Sequence, residues 1–95
     1  MTEKEIERRM CKLIKERGGL TYKFSSPNNP GVPDRIVITR SGAVWFVELK
    51  SEKGQISKMQ EFQITLLTTR GVNVRVLRGW DEAKNFVERL FGNGI

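Results

Sequence analysis

Two apolar runs joined by a short polar turn constrain the fold of this 95-residue chain more than any other feature. The run 34-DRIVIT-39 is followed by Arg40-Ser41-Gly42 and then by 43-AVWFVELK-50, which is the pattern of a β-hairpin. Side chains on a strand alternate between its two faces, so Glu48 and Lys50 share one face of the second strand. That strand therefore ends in a carboxylate and an ammonium on an otherwise apolar face.

The length of the hairpin turn decides whether two carboxylates meet. A three-residue loop that ends with Gly42 in the left-handed conformation pairs Thr39 with Ala43. It also puts Asp34 opposite Glu48, with their Cβ atoms about 4.5 to 5.5 Å apart, where like charges repel unless a cation lies between them. A two-residue turn would shift the pairing by one residue and send the two carboxylates to opposite faces. A cation site on this hairpin therefore requires the three-residue loop.

The rest of the chain supplies three helices and two further strands. Capping boxes at 2–5 and 57–60 begin two of the helices. A strand, a helix and another strand in succession join parallel strands, so the sheet is expected to be mixed, with helices on both faces. We predict an α/β fold in one domain, residues 1–95, with the order α-β-β-β-α-β-α. The predicted elements are a helix at 3–17, strands at 20–25, 34–39 and 43–50, a helix from about 57 to 70, a strand at 72–77 and a helix at 81–91.

The composition excludes several kinds of site and favours one kind of partner. The chain has no histidine, which excludes His-dependent triads and the usual zinc sites, and the single Cys11 has no partner for an internal disulfide. Seventeen Lys and Arg against eleven Asp and Glu give a net charge of +6, which favours a polyanion such as nucleic acid. The N-terminus is charged from its third residue and no apolar run approaches about 18 residues, so we expect an intracellular, cytoplasmic protein that is not secreted and not in a membrane.

The hairpin brings together the groups that metal-dependent hydrolysis needs. Asp34 and Glu48, with the backbone carbonyl of Leu49, offer the oxygen ligands that Mg²⁺ and Mn²⁺ prefer. Lys50 could stabilise the charge that develops when water attacks a phosphodiester, or could help to hold and deprotonate that water. Taken alone, a Glu-x-Lys sequence is more commonly a solvated ion pair at the end of a strand.

The combination of 33-PD-34 and 48-ELK-50 across one hairpin resembles the PD-(D/E)XK nuclease superfamily. It is more closely similar to the virus-type replication-repair nuclease (VRR-NUC) domains, in their small stand-alone phage form. The resemblance implies a restriction-endonuclease-like core with the same α-β-β-β-α-β-α order that the periodicity predicts. Further matching segments are 18-GGLTYKFSSPNNPGVPDRIVI-38, 57-SKMQ-60 and 71-GVNVRVL-77.

The resemblance also implies roles for individual residues. Asp34 and Glu48 would be metal ligands, and Lys50 the catalytic lysine. Glu7, on the first helix, would reach the metal, in part through water; the alternatives are a solvated acid on the flank of the helix, or Glu3 in its place. Gln60 would border the site as a catalytic residue, although its place in the second capping box explains it equally well. Contacts with DNA phosphates are expected from Lys23, Arg35, Lys53 and Lys58.

The function implied is a Mg²⁺- or Mn²⁺-dependent endonuclease that cuts branched DNA, such as a Holliday junction or a flap, in replication, repair or recombination. A homodimer is expected from the same resemblance, because two symmetric strands require two symmetric sites. No organic cofactor is expected. The alternative is a non-catalytic basic DNA-binding module with a nuclease-like fold.

Overall fold

A computed structural model describes residues 1–92 as three helices and a four-stranded sheet. The observed order is α-β-β-β-α-β-α, which confirms the predicted order and fold class. The elements are α1 (Glu3–Glu16), β1 (Leu20–Lys23), β2 (Arg35–Ile38), β3 (Val44–Lys50), α2 (Lys58–Thr69), β4 (Val74–Arg78) and α3 (Gly79–Phe91).

The sheet is mixed, as predicted, with the strand order β1-β2-β3-β4. The pairs β1–β2 and β2–β3 are antiparallel, whereas β3 and β4 are parallel and are joined by α2. Both capping boxes form: Thr2 caps α1 and Ser57 caps α2 through their side-chain oxygens. No helix among residues 1–92 is long and apolar enough to span a bilayer.

The hydrophobic core lies between one face of the sheet and the helices α1 and α3. One face of α1 is fully buried there, and the strands contribute alternate side chains, as the period of two requires. Val47 and Leu49 are buried in this core, so Glu48 and Lys50 project from the opposite face of the sheet. The buried apolar residues are Ile6, Met10, Ile14, Val37, Val47, Leu49, Leu77, Ala83, Phe86, Val87 and Phe91.

Among the three helices described in residues 1–92, α2 is the one on the opposite face of the sheet. A hydrogen bond from Gln60 to Glu48 places this helix on that face. Helices therefore lie on both faces, as predicted, but α2 contains no buried residue, and Met59 and Phe62 are each about half exposed, at 47% and 55%. The more open face of the sheet is thus the one that carries the charged pair at the end of β3.

Three boundaries differ from the prediction by two residues: β1 ends early, β4 begins late, and the helix α3 begins early. The helix begins at Gly79, two residues before the predicted start, directly after β4. Gly79 has a φ of 78°, and a Cβ there would lie 2.8 Å from Cγ of Glu52. A glycine therefore permits the chain to turn from strand to helix beneath the loop that follows β3.

Candidate active site

The hairpin has the register that a cation site requires. Ile38 pairs with Val44, and the backbone N–H of Thr39 donates to the carbonyl of Ala43 at 2.9 Å. The connecting loop therefore has three residues, and Gly42 closes it with a φ of 92°. This confirms the predicted turn. The same register, continued beyond the first residue of β2, puts Asp34 opposite Glu48.

Glu48 is a buried carboxylate with two polar neighbours. It is 4% exposed, its Oε2 accepts a hydrogen bond from Nε2 of Gln60 at 3.1 Å, and Nζ of Lys50 lies 3.8 Å from the same oxygen. Burial and, after it, the negative charge of Asp34 raise the pKa of Glu48 to about 7, although Lys50 opposes the shift. The pair of carboxylates therefore holds more negative charge than its surroundings neutralise.

Asp34 carries an acceptor atom that has no donor. Its Oδ1 is buried and has no hydrogen-bond partner among residues 1–92. Burial and then the charge of Glu7 raise the pKa of Asp34, against the opposing charges of Lys23 and Arg35. An unpaired buried carboxylate oxygen is costly, because the group has lost its water without gaining a partner. A cation bound at this oxygen would remove that cost.

The two carboxylates fit a hard divalent cation. Mg²⁺ is commonly held by one or two carboxylates, with water and substrate phosphates completing its shell. Within residues 1–92 no three Asp, Glu, His or Cys side chains are grouped closely enough to hold a metal ion. Asp34 and Glu48 as two acidic ligands therefore stay a prediction. The backbone carbonyl of Leu49 stays a predicted third ligand.

Glu7 lies beside the pair, where two basic side chains hold it. Its Oε2 accepts from Nε of Arg35 at 3.1 Å and from Nζ of Lys23 at 3.4 Å. Its charge acts on the pKa of Asp34, and that of Glu3 acts on the pKa of Glu48, so the first half of α1 borders the site. A contact of Glu7 with the metal through water stays a prediction.

Gln60 completes the capping box of α2 and also borders the candidate site, as predicted; its catalytic role stays a prediction. Its Oε1 accepts from the backbone N–H of Ser57 at 2.8 Å, which completes the capping box of α2. Its Nε2 donates to Glu48, so the capped end of the helix is tied to the buried carboxylate. The two explanations are thus compatible, because the two ends of one amide serve them separately.

The basic residues expected to contact DNA divide into two groups. Lys23, Lys53 and Lys58 are exposed. The side chain of Arg35 is only 14% exposed and is paired with Glu7, so its guanidinium is part of the structure around the site.

Arg78 is a site neighbour that the sequence pattern did not indicate. It pairs with Lys50 across the parallel strands β3 and β4, so the two side chains share a face of the sheet. Its Nε donates to the carbonyl of Gly54 at 3.0 Å, which ties the loop after Lys50 to β4. The predicted strand ended at residue 77. The only available signal was that Arg78 continues the alternation of that strand by one residue.

The loop between β1 and β2 packs against the first turn of α2. Gly31 has a φ of 91°, and a Cβ at this position would lie 2.5 Å from the carbonyl carbon and oxygen of Met59. Pro33 is fully buried and immediately precedes Asp34. Packing at Gly31 and at Pro33 therefore holds the loop in place. The loop in turn fixes the direction from which Asp34 enters the site.

Comparison with known proteins identifies similar sequences and similar folds. The family model of the VRR-NUC domain matches residues 4–81. A protein described as "Putative nuclease p44", from Acyrthosiphon pisum secondary endosymbiont phage 1, is 35% identical over 79 residues, which cover 83% of this chain and 85% of that protein. A solved structure described as a VRR_NUC domain is 29% identical, with a TM-score of 0.83 over 90% of this chain and 94% of that one. A second, a VRR_NUC domain protein at 19% identity, shares the fold, with a TM-score of 0.74 over 93% and 86% of the two chains.

Proposed function

The chain belongs to the VRR-NUC domain family, and on that premise we propose that it is a metal-dependent endonuclease that hydrolyses phosphodiester bonds in branched DNA. One observation carries the proposal: Asp34 and Glu48, whose pKa values are both raised, converge on the open face of the sheet beside Lys50. We propose that residues 1–95 form one nuclease domain.

The residues of the site suit a bound Mg²⁺ or Mn²⁺. Asp34 and Glu48 would hold the cation, and the unpaired Oδ1 of Asp34 is an acceptor ready for it. When bound, the cation supplies a Lewis acid for the phosphate and lowers the pKa of a water molecule. Glu48 must lose its proton before it can bind a cation, and Gln60 keeps its carboxylate oriented meanwhile.

Lys50 is suited to stabilise the reaction that the site would perform. Hydrolysis forms a bond between a water oxygen and phosphorus and breaks one phosphorus–oxygen ester bond. The water gives up a proton, and the departing oxygen receives one. Negative charge on the phosphoryl oxygens increases on the way, and the ammonium of Lys50 is placed to offset it. Its side chain is 15% exposed, so little solvent screens that charge.

We also propose that the protein acts on branched DNA as a homodimer, with exposed apolar residues of α2 in the interface. Met59 and Phe62 are large apolar side chains on the outer side of α2, and both are about half exposed. Exposed apolar clusters of this kind are typical of protein interfaces. A two-fold dimer through α2 would present two sites, which suits the two symmetric strands of a four-way junction.

Cleavage of a labelled four-way junction tests the proposal. Wild-type protein is expected to cut the junction with Mg²⁺ or Mn²⁺ and to stop when EDTA is added. Lys50→Ala is expected to lose about 100- to 1000-fold in cleavage rate while still binding the junction, because it removes charge stabilisation in the transition state. A linear duplex of the same sequence should be cut more slowly.

Lys84→Ala is the matched control, because Lys84 is an exposed lysine of α3 whose ion pair is with Glu88. This variant is expected to cleave like the wild type. A non-catalytic DNA-binding module, the alternative function, would bind the junction and cut nothing in either metal.

A further inference from the structure

One side of α1 carries a row of basic residues that the catalytic site does not use. Lys4, Arg8, Lys12 and Lys15 are spaced at i, i+4, i+8 and i+11, so they lie along one face of the helix, and all four are exposed. At a rise of about 1.5 Å per residue the row is about 16 Å long. It lies beside the buried face of the helix.

This row forms the wall of a groove with a strong positive charge. The groove has a volume of about 480 Å³. Five of its lining residues are basic and one, Glu7, is acidic, and Arg35 and Lys23 already neutralise that acid. The five basic residues and one acidic residue give the lining a formal charge of +4. Its lining residues are Lys4, Glu7, Arg8, Cys11, Lys12, Lys15 and Arg35.

The four basic side chains of the row are not used by the fold. Within residues 1–92, none of them has an acidic oxygen within 4.0 Å. Four unpaired like charges on one helix face repel one another and reduce its stability slightly. A polyanion laid along the helix would turn this repulsion into attraction.

The groove adjoins the end of β2 next to which Asp34 lies. Arg35, the first residue of β2, lines the groove and directly follows Asp34 in the chain. Its Nε lies 3.1 Å from Oε2 of Glu7, which also lines the groove. A polyanion in the groove would therefore reach this end of the sheet from the α1 side, whereas the two carboxylates project from the other face.

We propose that the basic face of α1, defined by Lys4, Arg8, Lys12 and Lys15, binds the sugar–phosphate backbone of a duplex arm of the DNA that the site cleaves. The proposal rests on the proposed nuclease function. Phosphates of one strand are about 3.4 Å apart along the axis of B-DNA, so a row of about 16 Å covers about five of them. The contact is to the backbone and reads no sequence.

The dependence of duplex binding on salt tests this surface without any need for cleavage. Affinity for a labelled 30-base-pair duplex is measured in EDTA between 50 and 200 mM KCl. Each phosphate contact contributes about 0.9 to the slope of log K against log salt. The variant Arg8→Gln/Lys12→Gln is therefore expected to lower the slope by about 1.8 and to weaken binding at least about tenfold at 100 mM. Glutamine keeps a good helix propensity, and far-UV circular dichroism checks that α1 still forms.

The matched control is Lys84→Gln/Arg89→Gln, which removes the same charge from exposed positions of α3. It is expected to change affinity less than about threefold, as a general effect of net charge. An equal loss in both double variants, or an unchanged slope in the α1 variant, would overturn the proposal. If wild-type protein bound the duplex through α1 but cut no DNA in any metal, the proposed nuclease function would be contradicted, whereas the proposed DNA-binding surface would be supported.

Cys11 provides a second readout, because it is the single cysteine of the chain and lies in the groove. Bound duplex is expected to slow alkylation of Cys11 by a maleimide at least about fivefold, and to do so in the α3 double variant as well. Alkylation at the same rate with and without saturating duplex would contradict the proposed position of the DNA. In cleavage assays Arg8→Gln/Lys12→Gln is expected to raise KM and leave kcat nearly unchanged, since the row holds the DNA and does not touch the reacting phosphate.

Discussion

Glu48 and Gln60 illustrate how single residues set the properties of the site. Glu48 alternates with core residues of β3 and so projects from the opposite face of the sheet, where it is buried beside Gln60 and its carboxylate is not fully neutralised. Gln60 is placed by helix capping and uses its free end to orient that carboxylate. Strand alternation places Glu48, and helix capping places Gln60, where the proposed chemistry needs them.

The raised pKa of Glu48 predicts that the metal-free protein becomes less stable as pH rises. The ordinary pKa of 4.5 rises to about 7 in the folded protein, so between these values the folded state binds more protons than the unfolded state. The free energy of unfolding of the metal-free protein should then fall as pH rises from about 4.5 to 7, by up to about 3 kcal/mol. Urea denaturation in EDTA at a series of pH values measures this.

Two comparisons identify the source of that dependence. Glu48→Gln should remove most of the decline, and the smaller remainder would come from Asp34, whose pKa is shifted in the same direction. Mg²⁺ should stabilise the wild type more at pH 8 than at pH 5, because cation and proton compete for the same carboxylates. Stability that rises with pH across this window in EDTA would contradict the assignment.

The two roles of Gln60 can be separated with Ser57. Ser57→Ala removes the cap of α2 alone and should cost about 1 kcal/mol of stability, with little effect on cleavage. Gln60→Ala keeps the bond to Ser57 Oγ but removes the reciprocal bond from the Ser57 N–H and the bond to Glu48, so it should also slow cleavage, by about tenfold. Equal cleavage rates for the two variants would show that Gln60 serves only as a cap.

At the scale of elements, the hairpin could be predicted from sequence and the surrounding contacts could not. Gly42 and the alternating runs determine the register, and the register determines that Asp34 and Glu48 oppose each other. The bonds of Arg35 to Glu7 and of Arg78 to Gly54 join segments 28 and 24 residues apart. Such contacts depend on how α1 and the loops pack on the sheet, which periodicity does not report.

Two glycines with similar backbone angles test the packing of the loop before Asp34. Gly31 and Gly42 have φ values of 91° and 92°, but only Gly31 has neighbours within 4 Å of an added Cβ. Gly42→Ala should cost about 1 to 2 kcal/mol from backbone strain alone. Gly31→Ala adds a clash with the backbone of Met59, so it should cost about 3 kcal/mol or more and should slow cleavage. Equal losses of stability, measured by urea denaturation, would contradict the proposed contact.

At the scale of the whole molecule, the two faces of the sheet have different tasks. The face beneath α1 and α3 holds the core, and the outer surface of α1 carries the basic row. The other face holds the two carboxylates beside a sparsely packed helix, α2, on which Met59 and Phe62 are exposed. The alternation along β3 predicts which of its residues share a face, but the exposure of Met59 and Phe62 on α2 depends on how that helix packs, which periodicity does not report.

Light scattering after size-exclusion chromatography tests the dimer at α2. Wild-type protein should have twice the 10.9 kDa mass of one chain at micromolar concentration. Phe62→Asp should shift it to the monomer, because a charge would be buried in an apolar interface. Asn85→Asp, which adds the same charge at an exposed polar position of α3, is the control and should remain dimeric. A monomeric wild type would exclude this interface.

Calorimetric titration with Mn²⁺ tests most directly whether two opposed carboxylates hold a divalent cation. Wild-type protein at pH 7.5 is expected to bind Mn²⁺ with the release of protons, and Asp34→Asn and Glu48→Gln are each expected to lose that binding by at least about tenfold. Glu88→Gln, which removes an acid on α3 that pairs with Lys84, should bind like the wild type. Binding of equal strength in all four proteins, or none in the wild type up to 10-millimolar Mn²⁺, would contradict the account.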